Sequence, residues 1–159
     1  MIATTAINFS INNKCIFDGN YYKIGYPNGD IPSDCGVSAD LVVRVLRKSI
    51  GMDLQKLIHE DITTHLKEYY IKTPDANIDH RRVRNISNYF NRIGFSEINS
   101  QNMDDYQPGD IICFMDDIGI LVNKQGDVYH MGPSEAIIAT NYLFQNQIYD
   151  HFRIKNLNK

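Results

Sequence analysis

Apolar residues in the first part of the chain recur at the spacing of amphipathic helices. A first helix is predicted over residues 38–49 and a second over residues 53–70, each with its apolar side chains on one face. A third helix is predicted over residues 81–92. Gly51 and Gly94 follow the first and third helices and are typical C-terminal stops. The pattern therefore predicts three helices that pack against a common core.

The second part of the chain changes to short runs that are typical of β-strands. Residues 111–114 and 118–122 are rich in isoleucine and other apolar residues. A Lys-Gln-Gly-Asp sequence at residues 124–127 is a hairpin signal and leads into a strand over residues 128–131. A last strand is predicted over residues 148–154. Helices followed by antiparallel strands indicate an α+β fold, with the helices on one side of the sheet.

Length and composition fit one ordinary domain. The 159 residues are 43% hydrophobic and 22% charged, and no shift in composition marks a boundary. A domain of this size buries about 68–70% of the surface of its unfolded chain, so it can form a real core. Residues 15–33 are dense in glycine and proline and are predicted to form an irregular lead-in. We expect a single domain over residues 1–159.

Charge and hydropathy exclude several partners. A net charge of −3, from 16 basic and 19 acidic residues, gives no electrostatic footprint for nucleic acid or for an anionic membrane. No segment approaches the roughly 20 apolar residues of a membrane span. Residues 1–10 lack the basic start and continuous apolar run of a secretory signal. We expect a soluble protein that is cytoplasmic, exported by a route without such a signal, or trimmed of its leader.

Cysteine and histidine positions do not suggest a metal or another cofactor. Cys15, Cys35 and Cys113 are an odd number of thiols without metal-type spacing, so neither a disulfide framework nor a zinc site is expected. His59 and His65 lie six residues apart in the second predicted helix without a third ligand, and we interpret them as surface or packing residues. We expect no cofactor.

Four collinear segments of the chain resemble a known family of bacterial domains. They are Tyr26–Pro32, Asp53–Asp61, Asn77–Val83 and Pro108–Ile112. The family is domain-of-unknown-function family 1287, a relative of the NlpC-type cell-wall peptidases. The resemblance covers roughly residues 17–154 and implies a papain-like α+β fold. It also implies peptidoglycan stem peptides as substrates, with an amide hydrolysed through an acyl-enzyme.

The resemblance places Ser38 at the position of the family's nucleophile. In the family a cysteine opens the first long helix in a Gly-Val-Cys-Thr-Asp-Val-Val context, and the corresponding segment here is Gly36–Val42. A helix N-terminus stabilises a thiolate, lowers the thiol pKa and makes the sulfur nucleophilic near neutral pH. A serine is a far weaker nucleophile and needs an adjacent base.

The position of the general base is also changed. The family has a histidine in a His-Ile-Gly-Ile-Val strand, and here that strand is Asp117–Leu121. An aspartate, with an ordinary pKa of about 3.9, is a poor proton shuttle near pH 7. The histidine that orients the base in related peptidases is kept as His130. The expected roles are therefore nucleophile at Ser38, base at Asp117 and orienting residue at His130.

Two interpretations of these three residues remain open. They include the residue types of a serine hydrolase triad, in which His130 would be the base, Asp117 its orienting partner and Ser38 the nucleophile. Alternatively, Ser38 only begins a helix, Asp117 ends a strand in solvent and His130 is a half-buried sheet residue. Two separate substitutions favour natural decay, whereas a lone Cys-to-Ser change would equally fit an engineered inactive enzyme.

Two neighbouring segments carry weaker candidates. Cys35 is either a displaced nucleophile or an ordinary half-buried thiol in the loop before the helix. The string Asp79, His80, Arg81 and Arg82 either lines the cleft and holds a ligand carboxylate, or caps and braces the third helix. With Arg84, these arginines form the densest basic cluster, which suits a solvated helix face and an anion site about equally.

Three functions follow. The first is a degenerate peptidase-like domain that has lost its thiol chemistry and retains binding of a peptide or a protein partner. The second is an active amidase, such as a toxin or effector, whose nucleophile was replaced by Ser38 or which uses the Ser38, His130 and Asp117 triad. The third is an interaction module, which should expose an apolar patch.

Overall fold

The structure, a computed structural model, describes residues 1–155. Four α-helices lie in this part of the chain: α1 (Ile2–Asn12), α2 (Ser38–Ile50), α3 (Leu54–Thr64) and α4 (Val83–Arg92). Short 3-10 helices are Leu66–Glu68, Asp79–Arg81 and Met103–Asp105. None of the described helices is long and apolar enough to cross a membrane.

The strands form one large and one small sheet within the described residues. They are β1 (Ile16–Phe17), β2 (Cys35–Gly36), β3 (Ile111–Cys113), β4 (Ile118–Leu121), β5 (Val128–Met131), β6 (Ala136–Ala139) and β7 (Asp150–Phe152). β3 to β7 form an antiparallel sheet in the order β6-β5-β4-β3-β7. β1 and β2 form a two-residue parallel pair. The α+β class is confirmed.

The helices cover one face of the large sheet, with α2 at the centre. Residues 38–46 of α2 are all buried, because this helix packs on β4 and β5 as well as on the other three α-helices. Alternate strand residues separate into two cores. Ile111 and Cys113 join the core under the helices, whereas Ile112 and Phe114 join a smaller core on the opposite face. Both faces are covered, which explains why the strands are apolar throughout.

Two predicted helices have different limits in the structure. The second ends at Thr64 instead of residue 70, followed by a single 3-10 turn. The hydroxyls of Thr63 and Thr64 bond back to carbonyls of their own helix, which weakens a helix end. The third begins at Val83 because Arg82 is extended, with φ −106° and ψ 120°.

One α-helix and three strands were not predicted: α1, β6 and the two-residue strands β1 and β2. α1 lies in residues interpreted only as a failed signal sequence, and β6 lies on the edge of the sheet beside β5. α1 forms because its apolar side packs on α2 and β6, with Ala6 fully buried. The expected three helices are therefore four. The last strand is also shorter than expected, covering Asp150–Phe152.

Candidate functional site at the start of α2

Ser38 is the first residue of α2 and is held there by a capping interaction. The side chain of Asp40 accepts a hydrogen bond from the amide of Val37, with Oδ2 to N at 2.7 Å. Gly36 allows this turn, since a Cβ at that position would lie 2.9 Å from Oδ2 of Asp40. The first amides of a helix have no acceptor within it and carry partial positive charge. Ser38 therefore lies at the end of α2 that carries this partial positive charge.

Arg81 fixes this helix start from the opposite side. Its guanidinium donates to both oxygens of Asp40, at 2.8 and 3.1 Å, and to the carbonyl of Asn20 at 2.9 Å. The Arg81 and Asp40 side chains are only 4% and 2% exposed. The guanidinium is therefore committed to the protein and is not available to a ligand.

Asp117 and His130 form a direct pair next to this helix start. Nδ1 of His130 donates to Oδ2 of Asp117 at 2.7 Å, and the backbone amide of Ile118 donates to Oδ1 at 2.9 Å. Asp117 is therefore not simply solvated at a strand end, and His130, at 5% exposed, is buried instead of half-buried. Nε2 of His130 has no hydrogen-bond partner among residues 1–155.

The pair is positioned by the pairing of β4 with β5. Asp117 directly precedes β4, and His130 lies in β5 close to Gly119. A Cβ on Gly119 would lie 2.4 Å from Cγ1 of Val128 and 3.1 Å from Cβ of His130. A glycine is therefore required where β4 passes under the histidine.

Tyr142 is a site residue that the sequence analysis missed. Its ring lies against the His130 ring, with centroids 4.2 Å apart, and its hydroxyl reaches Oδ2 of Asp117 at 3.5 Å. Burial and the neighbouring Asp117 carboxylate raise the pKa of this phenol. Tyr142 comes from a loop, so no local pattern could have indicated it.

Ser38 lies in the wall between two cavities. One, of about 560 Å³, is also lined by Asp117, His130 and Tyr142, and its other walls are mainly apolar. The other, of about 710 Å³, is lined by Arg81, Arg82 and Arg84. We call them the histidine cavity and the arginine cavity. A larger cavity of about 770 Å³ between α3 and the end of β7 contains none of the predicted site residues.

The three predicted catalytic residues thus share the histidine cavity but are not fully connected. His130 and Asp117 are hydrogen-bonded, whereas no described hydrogen bond joins the Ser38 hydroxyl to either of them. A serine nucleophile needs contact with its base. The arrangement therefore contains the orienting half of a triad without the activating half.

Three of the four residues predicted to bind substrate, Asp79, His80 and Arg81, are buried scaffold residues. Asp79 accepts hydrogen bonds from Nδ1 of His59 at 2.8 Å and from the amide of Asp75 at 2.9 Å, and burial raises its pKa. His80 is 2% exposed, and burial lowers its pKa to about 4. With Arg81 paired to Asp40, only Arg82 of this set is exposed to a cavity.

Cys35 lines neither cavity beside Ser38. It lies in β2, half-buried, and its thiol approaches the carbonyl of Pro32 at 3.5 Å. Cys15 and Cys113 are buried, and burial raises both thiol pKa values. No cluster of three or more histidine, cysteine or acidic side chains within residues 1–155 is arranged to hold a metal ion.

Comparison with known proteins identifies the family of this chain. The uncharacterized protein YijF of Escherichia coli (strain K12) is 43% identical over 114 residues, which are 69% of this chain and 55% of that protein. The match thus spans about half the length of this relative. A family described as "Domain of unknown function (DUF1287)" matches residues 4–154. Because that match covers nearly the whole described chain, the protein belongs to the DUF1287 family.

Proposed function

We propose that the cleft around Ser38 binds peptides, and that the chain is a papain-like, NlpC-type domain whose thiol chemistry has been lost. The peptides would be peptidoglycan stem peptides or a segment of a protein partner. One observation carries the proposal: Ser38, Asp117 and His130 come from a helix start, a strand start and the next strand, and all three line one cavity.

The arrangement of elements supports a papain-like relationship. A long buried helix packs on an antiparallel sheet, and the residue at the expected nucleophile position is its first residue. The residues at the expected base and orienting positions are hydrogen-bonded to each other at 2.7 Å. This arrangement supports the assignment of Ser38 to the nucleophile position, Asp117 to the base position and His130 to the orienting position.

The side chains themselves argue against efficient hydrolysis. No thiol lines the histidine cavity, and of the three cysteines only Cys113 lines the neighbouring arginine cavity, where it is buried. Both oxygens of Asp117 accept hydrogen bonds, from Ile118 and from His130. Each oxygen is thus already engaged by a donor of the protein, and neither is hydrogen-bonded to the Ser38 hydroxyl, as a base that activates this serine would need to be. This geometry supports the proposal of binding without turnover.

A second candidate is a working serine amidase, such as a toxin or effector. It is favoured by the hydrogen bond between His130 and Asp117, which is the orienting contact of a serine triad. In this function the Ser38 hydroxyl would reach His130 only when a ligand closes the cleft, since catalytic hydrogen bonds often tighten on binding.

An interaction module should expose an apolar patch, and exposed apolar side chains do border the histidine cavity. Phe17 is 54% exposed and Ile137 is 37% exposed, and both line that cavity. The apolar surface thus coincides with the proposed peptide cleft. Protein-partner binding and peptide binding would therefore use the same surface.

Release of soluble fragments from purified peptidoglycan tests these functions. The unsubstituted protein is compared with Ser38→Cys and with the Ser38→Cys, Asp117→His double variant. Ser96→Cys is the control, because it adds an exposed thiol outside both cavities. We expect the unsubstituted protein to bind peptidoglycan without releasing fragments, and the double variant to recover hydrolysis.

Other outcomes assign other functions. Hydrolysis by the unsubstituted protein would establish a serine-based site and contradict the proposal of a degenerate site. Hydrolysis with Ser38→Cys alone would indicate an enzyme that lacks only its nucleophile. If none of the proteins binds or hydrolyses peptidoglycan, then peptidoglycan is excluded as the ligand.

A further inference from the structure

The arginine cavity contains two cationic side chains that form no ion pair with the described residues. Arg82 is exposed and lines the cavity, and no carboxylate of the described residues pairs with it. Arg84 is also exposed, and its guanidinium carbon lies 3.8 Å from the centroid of the Tyr70 ring. Stacking on an aromatic ring restrains a guanidinium and leaves the N–H groups at its edge free to donate.

Two carboxylates also line the arginine cavity. Asp116 lies between β3 and β4, and Asp150 begins β7, so both belong to the sheet side. Asp150 already accepts a hydrogen bond from the hydroxyl of Ser87 at 2.6 Å. The free arginines stand at the start of α4. Of the three arginines that line the cavity, only Arg81 is paired with a carboxylate, so a ligand carboxylate would be received by Arg82 and Arg84, whose planar guanidinium groups can bind it through two hydrogen bonds.

The histidine cavity offers the opposite chemistry. Apart from the pair of His130 and Asp117 and the exposed carboxylate of Asp116, its lining is largely apolar, and Phe17 and Ile137 remain exposed. Val37, Met131, Pro133 and Ala139 continue this apolar lining. Concave apolar surface that the chain leaves exposed favours an apolar group of a ligand, since burying it removes both surfaces from water.

We propose that the cleft distinguishes the two sides of its peptide ligand about Ser38: an acidic residue binds against Arg82 and Arg84, and an apolar residue binds between Phe17 and Ile137. The inference rests on the proposed peptide-binding function and adds to it a direction and a residue preference. Ser38 lies in the wall that both cavities share, so the two ligand residues flank it.

Isothermal titration calorimetry of blocked synthetic peptides with the unsubstituted protein measures this preference. Two parent peptides, acetylated and amidated, have the sequences Ala-Glu-Ala-Leu-Ala and Ala-Leu-Ala-Glu-Ala, so that both directions are present. Each is compared with its Gln-for-Glu and Ser-for-Leu counterparts. We expect one direction to bind, with a preference of about three- to tenfold for Glu over Gln. The preference for Leu over Ser should be about tenfold.

Matched variants assign each preference to its cavity. The Arg82→Gln, Arg84→Gln double variant should abolish the preference for Glu and keep the preference for Leu. Its control, Lys48→Gln with Lys67→Gln, removes the same charge from exposed positions outside both cavities and should keep both preferences. Ile137→Thr should reduce only the preference for Leu, whereas Ile98→Thr, exposed outside both cavities, should not.

The outcomes separate this inference from the peptidoglycan assignment. The inference would be overturned if the Glu and Gln peptides bound equally, or if no peptide bound. It would also be overturned if the arginine and lysine double variants lost the preference for Glu to the same extent. Peptidoglycan binding could persist in each of those cases. Conversely, the expected preferences together with no binding to peptidoglycan would support the inference and exclude the cell wall as the ligand.

Discussion

Arg81 and Asp40 form a buried, two-bonded ion pair that joins the segment before α4 to the first turn of α2. The two residues are 41 positions apart in the chain. Asp40 also accepts a hydrogen bond from the amide of Val37, so the ion pair holds the backbone immediately before Ser38. The most basic string of the sequence thus contributes one arginine to the scaffold and leaves the next, Arg82, for the cleft.

Removing Arg81 should destabilise the fold strongly. Arg81→Met leaves the Asp40 carboxylate buried without its partner, and breaking a buried pair in this way costs roughly 3–5 kcal/mol. Urea unfolding followed by circular dichroism measures the change. Arg82→Met is the control, since an exposed substitution usually stays within about 0.5 kcal/mol. Equal stability of the two variants would contradict the scaffold role of Arg81.

Gly119→Ala should disturb the pairing of β4 and β5. The added Cβ would lie 2.4 Å from Val128 Cγ1 and 2.9 Å from the carbonyl oxygen of Tyr129, so a strand must shift. Overpacking of this kind costs roughly 1–3 kcal/mol. Gly25→Ala is the matched control, because a Cβ there meets no atom within 4 Å. Thermal unfolding of both variants should therefore show a loss only for Gly119→Ala.

The stability of the protein should fall in mild acid because of His80. Burial lowers its pKa from the ordinary value of 6.5 to about 4, so the unfolded chain binds the proton more readily than the folded one. This contribution is fully present above pH 6.5 and is lost as the pH falls towards 4. The loss is on the order of 3 kcal/mol.

Urea unfolding at pH 7 and at pH 4.5 measures this effect. The difference between the two pH values should be clearly smaller in His80→Leu, which removes the titrating group from its buried site. His65→Gln is the control, since its side chain is 49% exposed. A His80→Leu variant with an unchanged pH difference would contradict the assignment to His80.

The three thiols should be unreactive at neutral pH. Cys15 and Cys113 are buried, and burial raises their pKa values, which lowers the thiolate fraction. Cys35 is only half-buried but lies outside both cavities beside Ser38. Iodoacetamide labelling at pH 7, read by intact mass, should modify Cys35 slowly and the other two only in urea. Rapid labelling of Cys35 would revive it as a displaced nucleophile.

The sequence analysis predicted the elements whose packing follows from local periodicity. α2 was predicted as residues 38–49 and observed as Ser38–Ile50, because its apolar stripe and Gly51 both act within a few residues. α1 could not be predicted in the same way. Its apolar residues are interrupted by Thr4, Thr5 and Asn8, and such a helix is stabilised by α2 and β6 rather than by its own propensity.

The sequence by itself determined the α+β class and the family, and its resemblance to that family singled out Ser38, Asp117 and His130 as candidates. Only the tertiary structure decided which side chains are already used. It pairs Arg81 with Asp40 and Asp79 with His59, and it exposes Arg82 to the cleft. The physical reason is that hydrogen-bond partners distant in sequence are selected by packing, and no local pattern records which buried groups satisfy one another.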